Sequence, residues 1–156
     1  MIRRRFPIAL AVLALVAAMP ALAKPNFSGD WKLNNSKSAF GQFPPPGSMT
    51  SKITHEDPKL KREVKMSGDQ GEFQYETTYT TDGKDCSNEM FGNPINSNVK
   101  WDGDTLIVDS KGKFGDNEFS SQDKWTLSAD GKTLTIVSTF KSAMGDGEQK
   151  MVFDKQ

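Results

Sequence analysis

The sequence predicts an all-β protein, a single antiparallel up-and-down β-barrel of about 8–10 strands. From residue 49 onward the chain repeats one unit, in which a strand-like run is followed by a turn containing Gly, Asp, Asn or Pro. Asp-Gly pairs supply the positive φ angles of tight hairpin turns, which makes consecutive strands antiparallel neighbours. No segment after the N-terminal leader has the 3.6-residue apolar period of a helix. Little helix is therefore expected beyond that leader.

The first element, residues 1–23, has the three regions of a secretory signal peptide. Three arginines precede an apolar stretch over residues 6–18, and Ala21-Leu22-Ala23 forms the cleavage site. A membrane anchor is the alternative, but a span needs about 20 apolar residues and prolines bracket this shorter run. Both the general and the twin-arginine export routes fit the arginines. We expect a periplasmic or secreted protein without a stable membrane anchor after cleavage.

The remaining chain, residues 24–156, has a length that suits one domain. The sequence has 20 basic and 20 acidic residues, and three of the basic residues leave with the leader, so the mature chain carries 17 against 20. Lysines alternate with carboxylates instead of clustering, which makes a nucleic-acid partner improbable. Cys86 is the single cysteine, so an internal disulfide is impossible. We expect a monomer.

The strands follow in order along the mature chain. The first is predicted near residues 26–34, and a long connection over residues 34–48 comes next. Three consecutive prolines in this connection exclude helix and central strand. It is either a plain surface loop or a partial lid over the barrel, with a short helical turn possible at residues 36–40. The turns that separate the later strands are expected at 57–58, 68–71, 82–83, 92–94, 102–103, 115–117, 130–131 and 145–147.

Strand alternation predicts which side chains face the barrel interior. The predicted inward residues are Leu60, Arg62, Val64, Met66, Phe73, Tyr75, Thr77, Tyr79, Leu106, Val108, Ser110, Phe119, Ser121, Asp123, Trp125, Leu127, Leu134, Ile136, Ser138 and Phe140. Most are apolar or aromatic, as a core requires. The polar members indicate that the interior could hold a ligand.

Arg62 is the only arginine of the mature chain, and its direction is open at this stage. If it faces inward, the cation needs a partner, which Asp123 or a ligand carboxylate would supply. A bulge that slips the register by one residue would turn it outward, where long basic side chains are ordinary. The interior itself could be filled by side chains or hold one small ligand.

Two ends of the chain resemble a known group of barrels. The motif Phe27-x-Gly29-x-Trp31-Lys32-Leu33 is similar to the first-strand motif of the calycins, which include lipocalins and intracellular fatty-acid-binding proteins. The terminal segment Val152-Phe153-Asp154-Lys155 resembles the last strand of the fatty-acid-binding branch. The resemblance implies a lipocalin-like barrel in which the first-strand tryptophan closes one end. This chain departs from the group in lacking a helical lid, and a lysine would replace the C-terminal arginine that stacks on this tryptophan in lipocalins.

These observations predict a binding protein for a small apolar or amphipathic ligand, without chemistry and without a cofactor. The expected ligand-binding residues are Arg62, Tyr75, Tyr79, Phe119, Asp123 and Trp125. The alternative is a filled barrel that acts as an interaction module for an envelope protein or a polysaccharide. An enzyme is the least favoured class, because His55 is the single histidine and no nucleophile elbow is present. One histidine also gives no basis for a metal site.

Overall fold

A computed structural model describes residues 23–69, 71–143 and 145–156. The predicted signal peptide lies almost wholly outside the described residues. The described chain forms ten strands and one short 3-10 turn, and within it no helix is long and apolar enough to cross a bilayer. The strands are β1 Gly29–Leu33, β2 Ser48–Glu56, β3 Lys59–Gly68, β4 Gly71–Thr80, β5 Asp85–Met90, β6 Asn93–Asp102, β7 Thr105–Phe114, β8 Asn117–Leu127, β9 Thr133–Ser142 and β10 Gly145–Lys155.

All ten strands belong to one antiparallel sheet that curls into a nearly closed barrel. Each strand from β2 to β4 and from β5 to β10 pairs with its neighbour in sequence, and β1 pairs with both β2 and β10. The order is therefore β4-β3-β2-β1-β10-β9-β8-β7-β6-β5. Strands β4 and β5 lie beside each other without a ladder of paired residues, which leaves a seam in the wall. The up-and-down barrel predicted from the turn spacing is confirmed.

Several predicted turn ranges extend into the strands beside them, most clearly at the β5–β6 and β9–β10 hairpins. The β5–β6 hairpin turns at Phe91 and Gly92, which both have positive φ, and Pro94 already lies in β6 opposite Glu89. Proline is tolerated there because the β6–β7 register begins only at the next residue, Ile95. The last hairpin likewise turns before residue 145, and residues 145–147 are the first of β10. Glycine-rich stretches mark these hairpins correctly but extend past the turns into the strands.

The apolar core fills one end of the barrel, where β2 meets β3 and β6 meets β7; we call this the closed end. Phe27, in the segment before β1, is fully buried and its carbonyl accepts a hydrogen bond from Trp31 Nε1 at 3.0 Å. Lys155 Nζ lies 5.3 Å from the centre of the Trp31 ring. A lysine thus takes the place expected for the C-terminal arginine of lipocalins. The other fully buried large side chains are Trp125, Phe153, Leu60, Leu106, Leu134 and Ile136.

The connection over residues 34–48 runs beside the opposite, open end of the barrel. Its helical turn spans Asn35–Lys37 and is shorter than expected, with the Asn34 side chain accepting from the Lys37 backbone N–H. Ala39 then forms a bridge with Lys150 of β10. These bonds hold the first half of the connection against β10, so that its second half reaches the mouth of the barrel.

Candidate ligand-binding cavity

A cavity of about 680 Å³ opens at the end of the barrel opposite the core. This volume lies within the range of pockets that bind small molecules. The filled interior of the alternative hypothesis is therefore not what the structure contains. The lining side chains come from β3 to β10 and from the 34–48 connection: Gln42, Phe43, Arg62, Tyr75, Thr77, Tyr79, Asn88, Met90, Ile95, Ser97, Ser110, Phe114, Asn117, Glu118, Phe119, Ser121, Asp123, Ser138, Phe140, Ser142, Gln149 and Met151.

Arg62 lies at the inner end of this cavity, where the lining meets the core. Its side chain is 6% exposed, so it faces inward and the outward alternative does not apply. The guanidinium Nε donates to Ser51 Oγ at 2.8 Å, while Nη2 is buried without a hydrogen-bond partner. The guanidinium carbon lies 5.0 Å from the centre of the Trp125 ring and 5.7 Å from that of Phe153. The cation is thus held on two aromatic faces with part of its donor capacity unused.

Asp123 on β8 is the acidic group of the same inner region. It lines the cavity, and its pKa is raised because burial disfavours the carboxylate, an effect that the Ser138 hydroxyl and the Arg62 charge oppose. Within the part of the chain that the structure describes, no carboxylate oxygen lies within 4.0 Å of the Arg62 guanidinium. Asp123 therefore neutralises Arg62 only in part, and the cavity retains a cation with room for an anionic partner.

Hydroxyl groups surround these two charges. Ser97 and Ser110 share a hydrogen bond of 2.8 Å between their Oγ atoms, and the buried Thr77 Oγ1 lacks a hydrogen-bond partner. Burial raises the pKa of Tyr79 to about 12, which keeps the phenol protonated and able to donate. A polar ligand group at the inner end would therefore meet a cation and several hydroxyls.

The outer part of the cavity contains most of its aromatic side chains. Phe43 of the 34–48 connection packs edge-on against Phe140 at 4.7 Å between ring centres, and Phe114 stacks on Phe119 at 4.9 Å. Met90 and Met151 add flexible apolar surface to the same lining. The cavity thus holds its buried charges at the inner end, while aromatic rings and methionines, with polar side chains such as Asn117 and Glu118 between them, surround the mouth. A second groove, of about 1060 Å³, lies around residues 111–120, but it is shallow, open and lined mainly by polar side chains.

The structure brings five of the six predicted ligand-binding residues to the cavity surface. Tyr75, Tyr79 and Phe119 line it together with Arg62 and Asp123. Trp125 lies behind Arg62, fully buried in the core, and supports the guanidinium instead of facing the cavity. The alternation of β3, β4, β8 and β9 is what places these side chains inside, with the registers running Arg62↔Thr77 and Asp123↔Ser138.

Sequence reasoning missed several members of the lining. Phe43 and Gln42 reach the cavity from an irregular connection in which alternation gives no direction. Ser51, the partner of Arg62, does not line the cavity but was also missed, although Met49, Ser51, Ile53 and His55 alternate with exposed residues along β2. Applying the same period to β2 would have found it.

His55 has a structural place at the closed end, away from the cavity. Its side chain is buried, Nδ1 accepts a hydrogen bond from the Phe27 N–H at 3.2 Å, and its ring packs beside those of Phe27 and Trp101, which also contact each other. Nε2 lies 3.5 Å from Asp57 Oδ1. That carboxylate also accepts from Trp101 and Thr81, and the Thr81 hydroxyl bond is the main cause of its lowered pKa. The cluster fastens the N-terminal segment over the core.

The side chain of Asn88 on β5 bonds across the seam to the backbone of β4. The amide of Asn88 accepts from the Thr78 backbone N–H at 2.7 Å and donates to the Thr78 carbonyl at 3.0 Å. It replaces a pair of main-chain ladder bonds at the one place where neighbouring strands are not paired along their length. Asn88 also lines the cavity, so the seam is a thin part of the cavity wall.

Comparison with known proteins supports the fold and gives no closer relationship. No protein-family model matches the sequence, and no curated protein matches it. Among solved structures, the zebrafish ileal bile acid-binding protein complexed with cholic acid has 15% identity and a TM-score of 0.59, over 83% of this chain and 98% of that one. Human cRBP IV has 14% identity and a TM-score of 0.56, over 85% and 99%.

A third solved structure, the Schistosoma mansoni fatty acid binding protein in complex with arachidonic acid, has 12% identity and a TM-score of 0.53, over 83% of this chain and 96% of that one. Each of the three is matched over nearly its whole length, so the similarity covers the complete barrel. At these identities the similarity concerns the fold. The chain has a calycin-type barrel fold, as its first-strand motif predicts.

Proposed function

We propose that this protein is a secreted or periplasmic binding protein for a small amphipathic molecule with an acidic head group and an apolar tail, and that it carries out no chemistry. The observation that carries the proposal is Arg62, a buried cation at the inner end of a cavity, with an unpartnered Nη2. A carboxylate there would accept charge-assisted hydrogen bonds that Asp123 does not supply. An apolar tail would lie among the phenylalanines toward the mouth.

The matched solved structures support this class of ligand without naming one. Two of them hold cholic acid and arachidonic acid, which are both carboxylic acids with large apolar bodies. The similarity to them is one of fold, so the chemistry of this cavity carries the proposal. A ligand inserted with its head group inward would bury its apolar surface and satisfy the buried cation, and both effects favour binding.

The test compares two ligands that differ only in the head group. Oleate and oleyl alcohol would each be titrated against protein carrying the fluorescent anion 1-anilinonaphthalene-8-sulfonate, and displacement would be followed. We expect oleate to displace the dye at least about tenfold more effectively, because a hydrogen bond to a charged group contributes roughly 1.5–3 kcal/mol. Equal displacement by both ligands would remove the role of Arg62. The absence of any bound anion or lipid, including in native mass spectra of protein purified from its own compartment, would overturn the binding function.

A further inference from the structure

The open end of the barrel carries an exposed aromatic rim, of which Phe43 and Phe114 also line the cavity while Phe73 and Phe91 do not. The rim consists of Phe43, Phe73, Phe91 and Phe114, with exposed fractions of 39%, 39%, 54% and 41%. Among the described residues these are the exposed large hydrophobic side chains, and all of them lie at this end. They come from four separate segments: the 34–48 connection, the start of β4, the β5–β6 turn and the end of β7. Four independent segments thus present phenylalanine to solvent around one opening.

Phe91 occupies its place in the rim against local preference. It has φ 52, a left-handed conformation that bulky side chains rarely adopt, and Gly92 after it has φ 77. A two-residue hairpin turn of this kind favours Asn-Gly, so phenylalanine is a poor choice for the turn itself. Its ring contacts Phe73 and Tyr75 with centres 6.0 Å apart, yet it remains more than half exposed. Burial within the barrel therefore does not account for it.

The charges around the rim are mainly negative. The segments 68–72, 89–93, 113–118 and 141–148, which form the hairpin ends, contain seven carboxylates and two lysines. One of the lysines, Lys113, is paired with Glu118 at 2.8 Å. The carboxylates are Asp69, Glu72, Glu89, Asp116, Glu118, Asp146 and Glu148. The open end of the barrel therefore combines apolar rings with a border of negative charge.

We propose that this aromatic rim docks on a phospholipid surface of zwitterionic head groups. Phosphatidylcholine and phosphatidylethanolamine carry a cationic amine on the outer side of the head group, which complements the carboxylate border. Aromatic faces attract such ammonium groups, and the rings gain by leaving water for the interface. Anionic lipids would repel the same border, with a strength that falls as salt is added. The docking requires no ligand in the cavity and goes beyond the binding function proposed above.

The first test measures binding of ligand-free protein to vesicles of phosphatidylcholine and phosphatidylethanolamine by flotation. The variant Phe91→Asn suits the turn better than the native residue, so we expect it to fold at least as stably and to bind vesicles several-fold more weakly. Combining it with Phe73→Ser should lower binding at least about tenfold. Neither residue lines the cavity, so dye binding reports separately on the proposed ligand site. Unchanged vesicle binding by the folded double variant would overturn the proposal.

The second test uses charge. Adding phosphatidylglycerol to the vesicles should weaken binding, and Asp116→Lys at the rim should reduce that effect, while Asp104→Lys at the closed end should leave it in place. Binding that strengthens with phosphatidylglycerol would contradict the assignment to a zwitterionic surface. Sedimentation of the same proteins tests the other occupant: self-association that Phe91→Asn abolishes, without vesicle binding by the native chain, would identify a second copy instead of a membrane and refute the proposal.

Discussion

Replacing Arg62 by methionine should leave the empty protein at least as stable and make it a worse binder of anions. Methionine has a similar linear shape and removes a cation that is 6% exposed and has a buried donor without a partner. Burying an ion costs several kcal/mol even in relaxed proteins. Against this, the variant loses the contacts with two aromatic rings, worth about 2 kcal/mol, and a charged hydrogen bond to Ser51, worth roughly 1.5–3 kcal/mol. With the burial cost taken as about 5 kcal/mol, the balance favours the variant by roughly 0–1.5 kcal/mol.

The two consequences of Arg62→Met are measured separately. Urea unfolding of the ligand-free proteins gives the stability difference, and dye displacement gives the affinities for oleate and oleyl alcohol. We expect the midpoint to be unchanged or higher, the oleate affinity to fall about tenfold to hundredfold, and the oleyl alcohol affinity to stay the same. Destabilisation by about 3 kcal/mol or more would mean that the guanidinium is already fully paired in the empty protein. The reasoning from an unsatisfied cation would then be wrong.

Three further variants test neighbouring features. Because the pKa of Asp123 is raised, its carboxylate destabilises the fold above that pKa and repels a bound anion. Asp123→Asn should therefore stabilise the protein at neutral pH, measured by denaturation. We also expect the native chain to bind the dye sulfonate more tightly as pH falls, and Asp123→Asn to abolish that increase in a dye titration. Asn88→Ala should destabilise the barrel by about 1–2 kcal/mol, because two hydrogen bonds across the seam are lost. It should also accelerate hydrogen exchange at the Thr78 amide and speed ligand release. The control Asn96→Ala, on the outer face of β6, should have none of these effects. The lowered pKa of Asp57 stabilises the fold above the ordinary carboxyl pKa of 3.8, and this stability is lost as pH falls through the pKa of the folded protein. Asp57→Asn should remove this part of the acid sensitivity, which amounts to less than about 1 kcal/mol because the side chain is half exposed. An unchanged acid-unfolding profile would contradict this expectation.

The barrel could be predicted because its sequence signals are local. Asp-Gly turns and strict alternation each act over a few residues, and together they fix antiparallel order and the inward face. Arg62 illustrates the limit of this reasoning. Alternation placed it beside Leu60 and Val64, but only the actual register of β2 and β3, with Arg62 opposite Ile53, excludes a bulge that would turn it outward.

The remainder of the site depends on distant contacts that have no local signature. Phe43 reaches the cavity only because the 34–48 connection is held against β10 by the Ala39 and Lys150 backbones. Trp125 looked like a lining residue because alternation gives direction and not depth, and at its depth on β8 the barrel is already filled by core side chains. For Asn88, the sequence predicts only that the residue lies in a strand. Its role in bridging β4 and β5 arises because these two strands are not paired by backbone hydrogen bonds.

The pairing of β1 with β10 has a consequence for how the protein reaches its native state. Trp31 lies opposite Lys155 and Leu33 opposite Phe153, so the first and last strands of the domain meet across almost the whole chain. Closing so long a loop costs chain entropy. The contacts between β1 and β10 offset this cost only when both ends of the domain are present. Hairpins such as β2–β3 can form from adjacent residues at any time. A chain in which the eleven residues of β10 are not yet available therefore exposes the edges of β1 and β9, which are templates for aggregation. Shortening the C-terminus should reduce the yield of folded protein far more than its few lost contacts would suggest.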